Sequence, residues 1–226
     1  TVNKIKLLDS NGYLSKTFTG VLTLRFKLRY TYRNFLRRNN MTQQKQTTRD
    51  LVISSLLTAL GILIPMIMPI KIILGPASYT FGSHIPITMA MFRSPKIASF
   101  VAVGTTLGFV AAGYPITIVL RALSHIIFAT IGAVYLKKVA GVLVDVKSRT
   151  LFSFFINLIH AIAEVIVVYI LTVAGVSGSS DNFLFTLIIL VGVGTLIHGM
   201  IDFEMSYRFT RTLDKRARVK FVQVEL

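Results

Sequence analysis

Three sets of polar residues at helical spacing interrupt an otherwise apolar sequence. Thr117, Arg121, Ser124 and His125 follow i, i+4, i+7, i+8 spacing; Asn157, His160 and Glu164 follow i, i+3, i+7; and His198 and Asp202 are one turn apart. Such spacing places each set on one face of its helix. His84 stands alone in an apolar run. Arg121 beside His and Asn side chains suits a carboxylate or a ring acceptor. Glu164 is as well suited to accept from an amino group. The same groups also suit two other tasks: Arg121 and Glu164 can neutralise each other between helices, or Glu164, His160 and Arg121 can pass a proton.

Other chemistries find less support. Two His/acid pairs, His160 with Glu164 and His198 with Asp202, raise the question of a metal. The second pair lies near the end of its apolar run and no HExxH motif is present, so no metal site is assigned and no cofactor is expected. No G-x-S-x-G element occurs, and neighbours such as Ser124 and His125 point about 100° apart on a helix. A phosphate-binding G-x-x-x-x-G-K-[ST] loop is absent, so the chain does not drive anything by its own ATP hydrolysis. Cysteine is absent too, which removes disulfides, thiolate ligands and cysteine nucleophiles.

The elements that must position these side chains are membrane helices. Hydrophobic residues make up 53% of the 226 and charged residues 15%, with a mean hydropathy of +0.67. That is more apolar surface than one soluble core conceals. A hydrocarbon layer about 30 Å thick takes roughly 20 apolar residues per helix. The apolar runs predict six spans, near 51–70, 79–92, 98–112, 115–136, 151–176 and 183–205. The second and third are short and contain Pro86, Gly104 and Gly108, so they should lean on neighbouring helices. Pro65 and Pro69 should end or kink the first.

The net charge of +16 is a topology signal, not a nucleic-acid one, because the bases lie between the spans. With the N-terminus inside, fourteen Lys/Arg of residues 41–226 fall in inner segments, only Lys71 falls outside, and Arg121 lies within a span. The expected fold class is therefore all-α, a six-helix membrane bundle with both termini cytoplasmic in a bacterial-type plasma membrane. Residues 1–40 carry nine Lys/Arg against Asp9 and lack a clean helical period. They read as a basic extension ahead of a membrane domain at 41–226, with Met41 as a plausible natural start.

Ser55 with Ala59 and Gly104 with Gly108 form small-xxx-small patterns that allow another helix to approach closely. Six short spans with both ends inside, the Ser55/Ala59 pattern, the stretch from Ile73 to Pro86 (Ile-Leu-Gly-Pro-Ala-Ser-Tyr-Thr-Phe-Gly-Ser-His-Ile-Pro) and the stretch from Leu120 to Phe128 (Leu-Arg-Ala-Leu-Ser-His-Ile-Ile-Phe) make the chain resemble the substrate-binding S components of energy-coupling factor (ECF) transporters. The resemblance covers about residues 47–210, with Ser55 standing where that family usually has alanine.

The resemblance implies uptake of one small water-soluble vitamin or precursor, enclosed by the loop after the first helix together with helices four to six. Tyr79, His84, Arg121, His125, Asn157 and Glu164 would be the pocket residues. It also implies docking of helices one to three, through Ser55, Ala59, Gly104 and Gly108, onto a membrane-embedded coupling subunit driven by two cytoplasmic ATPases. Niacin-like and hydroxymethylpyrimidine-like ligands rank above pantothenate, and the lack of tryptophan argues against a large flat ligand. The competing functions are a proton-coupled carrier acting alone, a metal-dependent membrane enzyme and a structural scaffold.

Overall fold

The computed structural model describes residues 13–74, 77–139, 141–176 and 182–217. The chain divides into two units, Thr1–Asp50 and Leu51–Leu226. The first unit is helical from Tyr13 onward, as the opening part of helix α1 (Tyr13–Ile67). The sequence suggests no clean period there, yet no proline occurs before Pro65 and few residues between 13 and 50 oppose a helix.

The second unit is built from apolar helices. After α1 come a two-stranded antiparallel hairpin, β1 (Lys71–Leu74) and β2 (Ala77–Thr80), and then α2 (Ile85–Arg93), α3 (Pro95–Ala111), α4 (Ile116–Lys138) and α5 (Val146–Val173). The last span starts as α6 (Phe183–Phe185), passes through a π-helical segment at Thr186–Val193 and continues as α7 (Gly194–Ala217). Thr47–Ile67, Ile116–Lys138, Val146–Val173 and Phe183–Arg216 are long and apolar enough to cross a bilayer. The protein is thus an all-α membrane protein with one small hairpin.

One predicted span is corrected. Residues 79–92 are not a single helix: Tyr79 and Thr80 belong to β2, a turn follows, and only Ile85–Arg93 is helical. Nine residues rise about 14 Å, half of what a span needs. Pro86, at the start of α2, fits a first turn where its missing N–H is not needed. All of α2 after Ile85 is buried, so its short backbone meets protein, not lipid. The 17 residues of α3 rise about 26 Å and lie between the two cases.

Local chemistry sets the corners. Ser94, in an extended conformation between α2 and α3, accepts a hydrogen bond from Ile97 N at 3.2 Å and is followed by Pro95, so one helix stops and the next starts in a new direction. Asp145 caps α5 by accepting from Ser148 N at 2.9 Å, and that backbone bond holds its carboxyl below the usual range. Gly113 and Gly175 take positive φ just past α3 and α5, where Tyr114 N and Val176 N reach back to Phe109 O and Leu171 O.

The packing is inverted relative to a soluble protein. Leu107, Ile127, Ile131, Phe155, Ile166, Ile170, Ile188 and Ile197 are exposed, whereas Arg121, His160, Glu164 and Asp202 are buried. A continuous apolar exterior of this kind is stable against lipid and not against water. Inside, Met91 and Phe92 of α2 pack with Ala98 and Val101 of α3, Phe128 and Ala129 of α4, Phe152 and Ile156 of α5, and Phe203 of α7. Gly132 lets Met91 and Ile156 reach the α4 backbone. This core packs together α4, α5 and α7, the helices that supply the polar cluster.

Candidate functional site

The polar stripes converge. Glu164 on α5 is 2% exposed and lies at the centre. Its Oε2 accepts from Arg121 Nη2 and from Thr195 Oγ1, each at 2.8 Å, and its Oε1 is 3.2 Å from His125 Nε2 and 3.4 Å from His160 Nε2. Only the His125 contact has hydrogen-bond alignment; both ring nitrogens of the fully buried His160 lack an aligned hydrogen bond. The Arg121–Glu164 pair cancels its own charge, which is what makes two ions tolerable at this depth.

A second centre forms where α7 meets the turn after the hairpin. Asp202, fully buried, accepts from Gly82 N and His84 N at 3.0 Å each, and its Oδ2 is 3.2 Å from His84 Nδ1 and 3.4 Å from His198 Nε2. A carboxylate from the last span thereby holds the turn that leads into α2. His84 joins the two centres: its ring lies 4.9 Å from that of His125, 4.7 Å from His160 and 5.0 Å from His198. These are all four histidines of the chain.

Between the hairpin and the helices is a cavity of about 80 Å³. Its polar wall is Ser78, Thr80, Ser83, His84, Thr105, Arg121, His125 and Glu164, and its apolar wall includes Pro65, Ile87, Phe109 and Ile118. Of the residues expected in a pocket, His84, Arg121, His125 and Glu164 line this cavity. Asn157 does not; its amide donates to Ser153 O at 2.8 Å, and its oxygen faces Gly199. Tyr79 lies to one side, its ring 5.6 Å from His198 and its buried hydroxyl, without a hydrogen-bond partner, against Gly194.

Sequence reasoning missed Ser78, Thr80, Ser83 and Thr195. Thr195, His198 and Asp202 share i, i+3, i+7 spacing, so that member was legible; Ser78 and Thr80 of the hairpin and Ser83 of the turn after it had no helical spacing to reveal them. The cavity also takes Gly61 and Pro65 from α1 and Ala102 and Thr105 from α3, beyond helices four to six. Gly104 and Gly108 are covered by Thr58 and Ile62 of α1, whereas Ser55 and Ala59 are exposed on α1.

Among curated proteins, the chain is similar to the niacin transporter NiaX of Lactococcus lactis subsp. cremoris (strain MG1363), being 41% identical over 194 residues that cover 85% of this chain and 86% of the relative. The chain belongs to the NiaX family. No family model matches it, and no solved structure matches it. As a member of the NiaX family with four helices among the described residues able to cross a bilayer, it is a multi-pass transport protein of the cell membrane, not an enzyme.

Proposed function

We propose that this chain binds niacin, or a pyridine carboxylate close to it, and delivers it inward as the S component of an ECF transporter. The observation that carries the reading is the small cavity bounded by Arg121, two histidines and four hydroxyl side chains, in a chain whose relative is a niacin transporter. About 80 Å³ is far below the roughly 300–1,000 Å³ of sites for drug-sized ligands, which favours one small ring over a pantothenate-sized chain. Arg121 Nη1 is 3.3 Å from Ser78 Oγ, longer than the 2.7–2.9 Å of a charge-assisted bond. A ligand carboxylate entering here exchanges that long contact for a short one. His84 and His125 can each donate, from whichever ring nitrogen bears the proton, to the carboxylate or to the pyridine nitrogen.

Six passes with both termini cytoplasmic agree with the distribution of bases and with the buried setting of α2, which allows a short segment to complete a crossing. Ser55 and Ala59 on the exposed face of α1 offer a small-residue strip to a coupling subunit. Two cytoplasmic ATPases would supply the energy that this chain lacks the phosphate loop to supply.

Calorimetric titration of the purified full chain with nicotinate tests the binding half. Binding that prefers nicotinate to hydroxymethylpyrimidine and is lost in Arg121→Ala is the expected result; indifference to both ligands removes the reading. Uptake of labelled nicotinate tests the coupling half. It should require co-production of the coupling subunit and ATPases, and uncoupler-sensitive uptake by this chain alone would replace an S component with an independent carrier.

A further inference from the structure

Of the two histidine-containing centres, the one on α7 has the makings of a metal site. The sequence shows His198 and Asp202 as a two-ligand pair; folding adds His84, giving three donors that lie within 4.8 Å of one another. Zinc-class ions bind imidazole nitrogen and carboxylate oxygen at about 2.0–2.2 Å, which sets tetrahedral ligands roughly 3.3 Å apart. Here Asp202 Oδ2 is 3.2 Å from His84 Nδ1 and 3.4 Å from His198 Nε2, and Ser83 Oγ is 3.4 Å from each of the same two nitrogens. Asp202 is also oriented by Gly82 N, which donates to Oδ1, and by His84 N, which donates to Oδ2, the outer support that ligating carboxylates need to keep their orientation.

The other possible set, His84, His125, His160 and Glu164, has Arg121 Nη2 at 2.8 Å from its carboxylate. A fixed cation there opposes a second one. We infer that His84, His198 and Asp202 bind one divalent transition-metal ion of the zinc class, with a fourth position beside Ser83 open to the cavity. Two nitrogens and one carboxylate favour such an ion over magnesium or calcium, which prefer oxygen ligands.

Charge gives this site a consequence for transport, and that consequence alone rests on the niacin reading. With neutral histidines the fixed charges are Arg121, Glu164 and Asp202, net negative by one, which opposes entry of a carboxylate. A divalent ion reverses that sign, and a bound monocarboxylate then brings the region to neutrality.

The test uses the full chain without an affinity tag, stripped by a chelator and titrated with Zn²⁺ by calorimetry and with Co²⁺ by visible absorption. One equivalent per chain is expected, with the tetrahedral Co²⁺ spectrum. His198→Gln should weaken metal affinity at least tenfold, as should Asp202→Asn, whereas His125→Gln should leave it within twofold. Absence of stoichiometric binding, or its loss in His125→Gln with retention in His198→Gln, overturns the assignment. Nicotinate titrated with and without metal separates the two readings: metal bound without any nicotinate binding leaves the site standing and removes niacin, whereas nicotinate bound without any metal does the reverse.

Discussion

Replacing Glu164 by Gln removes one charge from the most enclosed ion pair and changes little else. The side chain keeps its volume and one oxygen for Arg121 or Thr195, so the effect reports electrostatics, not packing. With the charge centres about 4 Å apart and an effective dielectric constant near 20, the attraction lost is about 4 kcal/mol. Breaking a buried pair from one side costs about 3–5 kcal/mol because the remaining charge has no compensation. Arg121→Gln should therefore cost a similar amount, and the double variant far less than the sum. The measurement is a double-mutant cycle on the ligand-free chain in detergent, with unfolding by denaturant or heat at all four corners. A coupling energy of about 3 kcal/mol is expected. Coupling under about 0.5 kcal/mol, or a single Glu164→Gln variant as stable as the parent, would refute the claim that Arg121 and Glu164 hold each other at this depth.

Four further outcomes follow from the packing. Tyr79→Phe removes a buried hydroxyl that has no partner in the protein, so the ligand-free chain should be unchanged or about 1 kcal/mol more stable by thermal unfolding; a loss of stability would mean that the hydroxyl is satisfied. Gly108→Leu drives a side chain into Ile62 and should cost about 1–3 kcal/mol, with Ile62→Ala restoring part of it; failure of the rescue would place the close approach elsewhere. Asp202→Asn leaves one carbonyl oxygen where two carboxylate oxygens now hold Gly82 N and His84 N, so hydrogen exchange at those two amides should accelerate at least tenfold while exchange in α4 stays as it is. Ser55→Leu combined with Ala59→Leu should abolish uptake in cells while nicotinate binding by the isolated chain is kept; parallel loss of both would remove the docking role of that strip.

The long spans were the most legible part of the fold because their signal is local. Apolar runs at 115–136, 151–176 and 183–205 correspond to α4, α5 and the composite helix ending in α7, and Pro65 and Pro69 mark the end of α1. The N-terminal turn of α5 was missed because Lys147 and Arg149 break the apolar run; in the fold Arg149 lies over Tyr207 and bonds Glu204. The hairpin was not legible, since Lys71–Leu74 and Ala77–Thr80 are too short to show alternation. At the site, the stripes on α4, α5 and α7 were readable from spacing, and the meeting of Arg121 with Glu164 followed from the cost of leaving either alone. The central place of His84 was not, because a single histidine at a turn has no period and its partners are supplied by α4, α5 and α7.

The convergence of all four histidines also makes the chain its own spectroscopic reporter. Labelling histidine with nitrogen-15 marks eight ring nitrogens and nothing remote from the cavity, so every imidazole resonance of the untagged protein speaks for the same few ångströms. Tautomer, protonation and ligation each leave a distinct nitrogen shift. Events elsewhere in the bundle enter that spectrum only if they reach the histidine cluster.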